Sequence, residues 1–524
     1  MPASKSPASS KESAVEHRPL PMPITRQSKV IPFAAAAGLI PDGAVIGCCG
    51  VIGWLTPERM LRSIAERFER EAHPAACTFF FPCGTGDAIE IKGMDHVATP
   101  GLMKRIISGS YINPRHPQTG ERPRLMQAIH ANQVEAYSWP IGATMQWLRE
   151  VARRSPGLFT EIGLGCYIDP RQTGGKLTAS AQEDLVFVRE LEGKEYLFYP
   201  TFPIDVAIIR GTTADTFGNI TMEKEPFISS MLPLTMAAKA RGGKVIAQVE
   251  RVVPRGSQPT QHVRIPGCLV DAVVIDPDQV MGTECRYSPQ ASGEIHGTLE
   301  HLPKIPFGVD KVIARRAARA VRPGEVAIFG FGASGDVPLI LAEEGRFKDG
   351  GLFDYHFTTE HGPHGGVLLR DWQFSANYNP ECLVDCAAHF DFIDGGGCPF
   401  AALAFAEFDA EGNVNVSKFG SYAPGAGGFI DIAHNARTLV FTGTFTGGGP
   451  RVELAGGKCV VKKARELQKV RQPRPANHLS GFARGAGTRP DGLDRNRTGG
   501  FFPRQGRAGL GGDRPGNRFA TRHP

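Results

Sequence analysis

Short apolar runs, each followed by a glycine-rich turn and a helical pattern, recur in the two halves of the chain. The first half contains the sequence IPDGAVIGCCGVIG (Ile40–Gly53), followed by PERMLRSIAERF. The second half contains VRPGEVAIFGFGASG (Val321–Gly335), followed by DVPLILAEEGRF. In each case the pattern predicts a turn, a short buried strand, a glycine-rich loop and then an amphipathic helix.

A second pair of segments is repeated later in each half. The sequence PIDVAIIRGTTADTFGNITM (Pro203–Met222) parallels FAALAFAEFDAEGNVNVSK (Phe400–Lys418). Both run from an apolar strand to an acidic turn that ends in Gly-Asn, and then to a second strand. Strand–helix units resemble one another in general, but two matches in the same order indicate a duplicated unit.

The duplication predicts two related open α/β domains in one chain, with parallel strands joined by crossover helices. The first domain is expected to span residues 30–302, with extra material around residues 163–199, and the second to span residues 303–463. Glycine-rich loops and helix N-termini gather at strand ends in such folds, so the active site is expected at the interface of the two domains.

Composition places the chain among ordinary soluble proteins. Of its 524 residues 41% are hydrophobic and 21% are charged, and no apolar run is long enough to span a membrane. Residues 1–29 have no apolar segment of the kind that signal peptides carry, so they are predicted to be a disordered leader. The eleven cysteines are irregularly spaced without a CxxC pair, which favours reduced thiols and a cytoplasmic location.

The formal net charge of +6 is concentrated at the C-terminus. Residues 464–524 contain 13 Lys and Arg against 4 Asp and Glu, a balance of +9, so the rest of the chain carries 6 − 9 = −3. The two predicted domains therefore give no electrostatic reason to expect nucleic-acid binding.

The sequence TTEHGPHGGV (Thr358–Val367) concentrates reactive residue types in ten positions. Glu360 could be a base, a metal ligand beside His361 and His364, a helix cap, a nucleophile, or an ordinary solvated carboxylate. Gly362-Pro363 interrupts the helix that a zincin-like site needs, so no metal site is expected. A carboxylate at a strand end beside free glycine amides suits attack on a thioester carbonyl, with backbone N–H groups stabilising the oxyanion.

Two further glycine clusters admit both structural and ligand-binding interpretations. Gly330–Gly335 reads GxGxxG, with Asp354 further along, which permits a dinucleotide site. The motif alone is weak evidence, and the related loop of the first half lacks it. Gly395, Gly396 and Gly397 follow an apolar run and are interpreted either as a flexible turn or as a close backbone approach to a ligand or oxyanion.

Five blocks of the chain resemble family I CoA-transferases, specifically the fused acetate/propionate (short-chain acyl) group. The resemblance extends from about residue 40 to about residue 463. The blocks are IGLGCYIDPRQTGGKL (Ile162–Leu177), VRIPGCLVDAVVIDPDQ (Val263–Gln279), TTEHGPHGG (Thr358–Gly366), FDFIDGGG (Phe390–Gly397) and GAGGFIDI (Gly425–Ile432). Together they are more specific than any single glycine motif.

The resemblance implies a reaction and a nucleophile. In that family the glutamate of a Glu-x-Gly-x-x-Gly-Gly loop is the nucleophile, and Glu360 occupies its position. The implied reaction moves coenzyme A between a short-chain acyl-CoA and a carboxylic acid by a ping-pong mechanism, through a γ-glutamyl-CoA thioester. Coenzyme A is then a substrate, no metal or other cofactor is needed, and a homo-oligomer is expected.

The chain departs from the family pattern in its first domain and in the catalytic loop. The position of His364 is usually small or apolar in the family. The family's Gly-His-Trp-Gly stretch appears here as GSYINPRHPQTGERPR (Gly109–Arg124), with an insertion. A glutamine proposed for the oxyanion hole of some relatives maps to Gln118 or to the position of Glu121. We take Gln118 as the candidate.

The third departure is the Arg-, Gly- and Pro-rich segment 464–524, which is predicted to be disordered. If the codons for its residues are read one base further on, they permit amino-acid sequences that resemble the family's C-terminal end, so a reading-frame slip near Lys462–Arg465 is expected.

Besides the CoA-transferase, the alternative functions are an acyl-CoA hydrolase that uses the same glutamate, a catalytically impaired CoA-binding protein, and a non-catalytic sensor. A nicotinamide oxidoreductase ranks last.

Overall fold

The computed structural model describes residues 22–87, 89–111, 115–116, 118–409, 412–418, 423–444, 451–463 and 470–471. Residues 1–21 of the predicted leader lie outside the described residues. So does the predicted frame-shifted tail, residues 464–524, apart from Val470–Arg471. No helix among the described residues is long and apolar enough to cross a membrane.

The first half of the chain is built on a parallel sheet. Its strands in chain order are β1 (Val45–Cys48), β2 (Cys77–Phe81), β3 (Met103–Ser108), β4 (Glu135–Ser138), β5 (Gly157–Thr160), β6 (Phe187–Leu191), β7 (Lys194–Pro200), β8 (Val206–Asp215), β9 (Ile220–Thr221), β10 (Lys244–Val253), β11 (Val263–Ile265) and β12 (Ala272–Ile275). Seven of them pair in parallel in the order β12-β10-β8-β1-β2-β3-β4, and β9 and β11 add antiparallel pairs beside β8.

Helices cover this sheet. They are α1 (Phe33–Gly38), α2 (Glu58–Glu71), α3 (Met94–Val97), α4 (Arg124–His130), α5 (Ile141–Ala152), α6 (Met231–Ala240) and α7 (Pro289–Ser292), with 3-10 turns at Thr260–His262, Gly267–Leu269 and Leu299–His301. All ten residues of β8 are buried, as expected for a strand covered on both faces. Strands β6 and β7, from the predicted extra material around residues 163–199, form a separate antiparallel sheet with β5, which precedes that segment, in the order β5-β7-β6.

The second half repeats the arrangement on a smaller scale. Its strands are β13 (Val326–Phe329), β14 (His356–Thr358), β15 (Pro363–His364), β16 (Val367–Leu368), β17 (Asn377–Tyr378), β18 (Cys382–Leu383), β19 (Phe400–Ala404), β20 (Glu407–Asp409), β21 (Val414–Asn415), β22 (Thr438–Thr442), β23 (Arg451–Ala455), β24 (Lys458–Lys463) and β25 (Val470–Arg471). Its helices are α8 (Val309–Ala318), α9 (Val337–Glu343), α10 (Cys386–Asp394) and α11 (Phe429–Asn435), with 3-10 turns at Gly332–Ser334, Lys348–Asp354 and Asp371–Gln373.

Strand order confirms the prediction of two related α/β domains. The parallel set β22-β19-β13-β14 of the second half corresponds to β10-β8-β1-β2 of the first. The repeated segments that contain β1 and β13, and those that contain β8 and β19, therefore occupy matching positions in the two sheets. The first parallel sheet lies within residues 30–302 and the second within residues 303–463, although those exact boundaries stay predictions. Val470–Arg471, beyond the second boundary, pair in parallel with β20.

The two acidic turns are closed by the same hydrogen bonds. After β8, Asn219 donates its backbone N–H to Asp215 Oδ1 over 3.0 Å and its side-chain Nδ2 to Oδ2 over 2.8 Å. At the corresponding turn, Asn413 donates the same two groups to Asp409, both over 2.8 Å. This side-chain closure is the physical basis of the repeated Asp-x-x-x-Asn pattern.

Candidate active site

The loop that carries Glu360 is a tight connection between two antiparallel strands. Thr358 at the end of β14 pairs with His364 in β15, so residues 359–363 must reverse direction within five positions. Gly362 has a φ of 95°, and a Cβ there would lie 2.2 Å from the carbonyl oxygen of Val384. At Gly366, with a φ of 68°, a Cβ would lie 2.2 Å from the carbonyl oxygen of Tyr378. The glycines of the motif are therefore required by the backbone path and by close neighbours.

Glu360 is largely withdrawn from solvent, with 19% of its side chain exposed. Its Oε2 accepts a hydrogen bond of 2.9 Å from the backbone N–H of Gly428, at the start of α11. Burial raises the pKa of Glu360 to about 7, although the Gly428 N–H acts in the opposite direction. The carboxyl group therefore changes its charge near neutral pH.

His361 lies beside Glu360 but does not neutralise it. Its Nδ1 is 4.0 Å from Glu360 Oε1 and 3.1 Å from the hydroxyl of Ser375. Burial lowers the pKa of His361 to about 3, so the ring is neutral when Glu360 ionises. The contact is consequently not an ion pair, and the negative charge on Glu360 is stabilised by the hydrogen bond from the Gly428 amide.

The segment that supplies Gly428 is hydrogen-bonded to the first domain. The Pro424 carbonyl accepts from the N–H of Tyr111 over 2.7 Å. Gly427 donates to the carbonyl of Gly109 over 3.1 Å and accepts from the N–H of Ile141 over 3.0 Å. These bonds join the loops after β3 and β4 to the loop before α11, so Glu360 and its amide partner lie where the two domains meet.

Glu360 also interacts electrostatically with a residue at the equivalent position of the first domain. Cys83 lies two residues after the end of β2, and Glu360 lies two residues after the end of the corresponding strand β14. Burial, and to a smaller extent the charge of Glu360, raises the pKa of the Cys83 thiol to about 12. The duplicated strand ends thus converge, one with a carboxylate and the other with a neutral thiol.

The other predicted site residues lie elsewhere in the fold. Gly395, Gly396 and Gly397 end α10, and their three N–H groups donate to carbonyls of its last turn over 2.8–2.9 Å. Gln118 is exposed, and its backbone N–H donates to His116 Nδ1 over 3.2 Å. No hydrogen bond joins these four residues to Glu360 in the part of the chain that the structure describes. A role for them in CoA or oxyanion binding stays a prediction.

Gly428 is a site residue that sequence reasoning did not single out. It lies 68 positions from Glu360, and only the folded chain brings the two together. A signal was present in GAGGFIDI, where glycines precede a helix whose first N–H groups are unpaired. The block GAGGFIDI contributes to the family resemblance, but its local pattern does not indicate which residue contacts Glu360.

The imidazole groups near the loop do not converge as metal ligands. His356, His364 and His389 are joined nitrogen to nitrogen in a line. No group of three or more His, Cys, Asp or Glu side chains able to hold a metal ion occurs among the residues that are described.

The fold and site define a two-domain α/β protein with a buried, amide-bound carboxylate between its domains. A family model described as coenzyme A transferase matches residues 31–276. The caffeate CoA-transferase of Acetobacterium woodii is 37% identical over 453 residues, which cover 84% of this chain and 83% of that protein. The acetate CoA-transferase YdiF of Escherichia coli K12 is 34% identical over 466 residues, covering 88% and 85%.

Structural similarity agrees with the sequence matches. The crystal structure of the acyl-CoA transferase YdiF apoenzyme from Escherichia coli O157:H7 superposes with a TM-score of 0.78 at 33% identity. The match covers 88% of this chain and 84% of that one. The chain belongs to the coenzyme A transferase family, and it is an enzyme of the CoA-transferase class.

Proposed function

We propose that this enzyme transfers coenzyme A between a short-chain acyl-CoA, such as acetyl-CoA or propionyl-CoA, and a carboxylic acid, through a γ-glutamyl-CoA thioester on Glu360. The observation that carries the proposal is the Glu360 carboxylate itself. It is largely buried at the domain interface, its pKa is raised to about 7, and it accepts a hydrogen bond from the backbone amide of Gly428. A desolvated carboxylate of this kind is a stronger nucleophile than a hydrated one.

The first half of the reaction consists of two exchanges at carbonyl carbons. A carboxylate oxygen of Glu360 attacks the thioester carbonyl of the acyl-CoA, and the C–S bond breaks to release CoA thiolate and leave an acyl-glutamyl anhydride. The thiolate then attacks the γ-carbonyl carbon of Glu360. The anhydride C–O bond breaks, the first acid leaves as its carboxylate, and Glu360 carries CoA as a thioester.

The second half repeats these steps in reverse with the acceptor acid. Its carboxylate attacks the γ-carbonyl carbon, CoA thiolate leaves, and the thiolate attacks the acyl carbonyl of the mixed anhydride to give the new acyl-CoA. One thioester and one carboxylate are exchanged for another thioester and carboxylate. The overall change in free energy is therefore small, and no nucleotide, metal or redox cofactor is required.

The Gly428 N–H is the group best placed to assist at Glu360. It already donates to Oε2, the atom that becomes the oxyanion when the γ-carbonyl carbon turns tetrahedral. The structure of YdiF from Escherichia coli O157:H7 described as a thioester complex with CoA supports this route, since it superposes on this chain with a TM-score of 0.75 at 33% identity. A homo-oligomer in the cytoplasm belongs to the same proposal.

Intact-protein and peptide mass spectrometry after mixing the enzyme with acetyl-CoA tests the proposal. We expect a CoA adduct on the peptide that contains Glu360, removable by hydroxylamine and absent from Glu360→Gln. Adding an acceptor carboxylate should discharge the adduct and form the new acyl-CoA. Release of free CoA and acetate without any dependence on an added acid would instead identify a hydrolase. An unmodified Glu360 in folded enzyme would overturn the mechanism.

A further inference from the structure

Three histidines form a continuous hydrogen-bonded line that ends beside Glu360. His356 Nε2 is 3.0 Å from His364 Nδ1, and His364 Nε2 is 3.1 Å from His389 Nδ1. At the inner end, His389 Nε2 is 2.7 Å from the carbonyl oxygen of Thr359. His356 is half-buried, whereas His364 and His389 are buried. We call these three residues the histidine chain.

The carbonyl at the inner end determines which nitrogen donates in each hydrogen bond of the histidine chain. A carbonyl oxygen only accepts, so His389 Nε2 must carry a hydrogen. Burial lowers the pKa of His389 to about 3 and that of His364 to about 4, so both rings are neutral. Nδ1 of His389 therefore accepts from Nε2–H of His364, and Nδ1 of His364 accepts from Nε2–H of His356.

Among the described residues, no other side chain replaces His389 as the donor to the Thr359 carbonyl. The Thr358 hydroxyl lies 3.1 Å from it but only 2.7 Å from the carbonyl of Pro363, and its single hydrogen serves the shorter contact. His389 is thus the donor that satisfies this buried carbonyl. Without it, a buried acceptor would lose its strongest partner.

Helix α10 contacts the peptide groups on both sides of Glu360. His389 donates to the carbonyl of Thr359, which belongs to the peptide bond preceding Glu360. Cys386, one turn earlier on the same helix, donates its thiol hydrogen to the carbonyl of Glu360, over 3.3 Å. Residues three apart share a helix face, so one rigid element fixes two successive peptide planes. The Glu360 side chain projects from between those planes.

We propose that His389 is a positioning residue for Glu360, and that His364 and His356 hold it in the Nε2–H tautomer. The inference rests on the proposed function of Glu360 as the nucleophile. The histidine chain ends at a carbonyl oxygen rather than at the carboxylate, so it delivers no proton to Glu360. Its effect is geometric: it keeps the carboxylate aligned with the Gly428 N–H, and a displacement of about 1 Å at such a group costs on the order of 100-fold in rate.

Single-turnover labelling of Glu360 by saturating acetyl-CoA, followed by mass spectrometry, tests this role in matched variants. His389→Leu removes the donor, and we expect its labelling rate to fall about 10-fold to 100-fold with the KM for acetyl-CoA little changed. His389→Gln keeps a donor for Thr359 and an acceptor for His364, so it should recover most of the rate. The exposed His130 at the end of α4 offers the control His130→Gln, which should label at the wild-type rate.

A second measurement does not depend on activity or on the folding of a variant. Long-range 1H–15N spectra of wild-type enzyme labelled at histidine should show protonated Nε2 at all three members of the histidine chain and unprotonated Nδ1 at His364 and His389. A proton on Nδ1 of His389, or equal labelling rates for His389→Leu and the wild type, would overturn the proposal while Glu360 remained the nucleophile. Failure of the wild type to form any adduct would instead overturn the proposed function, and the positioning role with it.

Discussion

The backbone N–H of Gly428 donates a 2.9 Å hydrogen bond to Oε2 of Glu360, and a Cβ at position 428 would lie 2.1 Å from that same oxygen. Only a glycine at position 428 therefore allows its backbone nitrogen and Glu360 Oε2 to approach this closely. Gly428 has a φ of −85°, a value that any residue can adopt. Glycine is therefore required at position 428 because of the nearby Glu360 carboxylate and not because of backbone strain.

Gly428→Ala should therefore impair catalysis more than folding. The new methyl group would push the Glu360 carboxylate away from the amide, and the loss of one oxyanion donor costs about 100-fold to 1,000-fold in kcat. Steady-state kinetics with acetyl-CoA and a carboxylate acceptor measures the change. Gly38→Ala is a matched control, because no atom lies within 4 Å of a Cβ built there. A kcat for Gly428→Ala within threefold of the wild type would contradict the assigned contact.

The rate of Glu360 labelling should depend on pH through the ionisation of Glu360 near 7. Burial raises the pKa of Glu360 to about 7, and only the deprotonated carboxylate is a nucleophile. The rate should fall about tenfold for each pH unit below that value and level off above it. The neighbouring His361, with a pKa of about 3, does not titrate in this range. Labelling by acetyl-CoA between pH 5.5 and 8.5 measures the profile, and a flat profile would be inconsistent with this environment.

The same ionisation makes the wild-type enzyme less stable at alkaline pH. Because the pKa of Glu360 is about 7 in the folded chain and 4.5 ordinarily, the folded state binds more protons between these values, and stability falls as pH rises from 4.5 to 7. The full loss is about 3 kcal/mol. Glu360→Gln, which keeps an acceptor for Gly428, should exceed the wild type in unfolding free energy at pH 8 and match it near pH 4.5. Equal stability at both pH values would show that the charge is not desolvated.

The sequence predicted the fold well because local patterns determine much of it. The strand and Gly-Asn turn signals correspond to β8 in Pro203–Met222 and to β19 and β20 in Phe400–Lys418, and each turn is closed by an Asp-Asn pair. Glu360 could be selected as a candidate because its strand–turn context is contiguous, and its role as the nucleophile stays a prediction. These features depend on residues that are close together in the chain, and periodicity and turn chemistry report on such features directly.

Contacts between distant segments could not be predicted in this way. Gly428 meets Glu360 because loops of two domains bring them together, and no local pattern encodes that distance. Glycines 395–397 form a glycine-rich segment like the one that contains Gly428, yet their amides cap the end of α10. The histidine chain likewise joins β14, β15 and α10, and each histidine by itself was indistinguishable from an ordinary polar residue.

The buried ion pair between Arg210 and Glu225 provides a prediction about the stability of the first domain. Arg210 Nε lies 3.0 Å from Glu225 Oε1, and its Nη atoms donate to the carbonyls of Thr56 and Val280 over 3.2 and 2.6 Å. Arg210→Met would leave the Glu225 carboxylate buried without a cation, which costs about 3–5 kcal/mol of unfolding free energy. Burial already raises the pKa of Glu225, so removing the cation should make the group titrate still higher.

Denaturant unfolding at pH 8 and pH 5 measures this cost. The deficit of Arg210→Met should be smaller at pH 5, where protonation of Glu225 removes the uncompensated charge. The double variant Arg210→Met with Glu225→Leu should be more stable at pH 8 than Arg210→Met alone, since no charge remains buried. If the double variant loses as much unfolding free energy as Arg210→Met and Glu225→Leu lose separately and added together, the two side chains are not coupled. Arg210 would then act only through its bonds to the Thr56 and Val280 carbonyls.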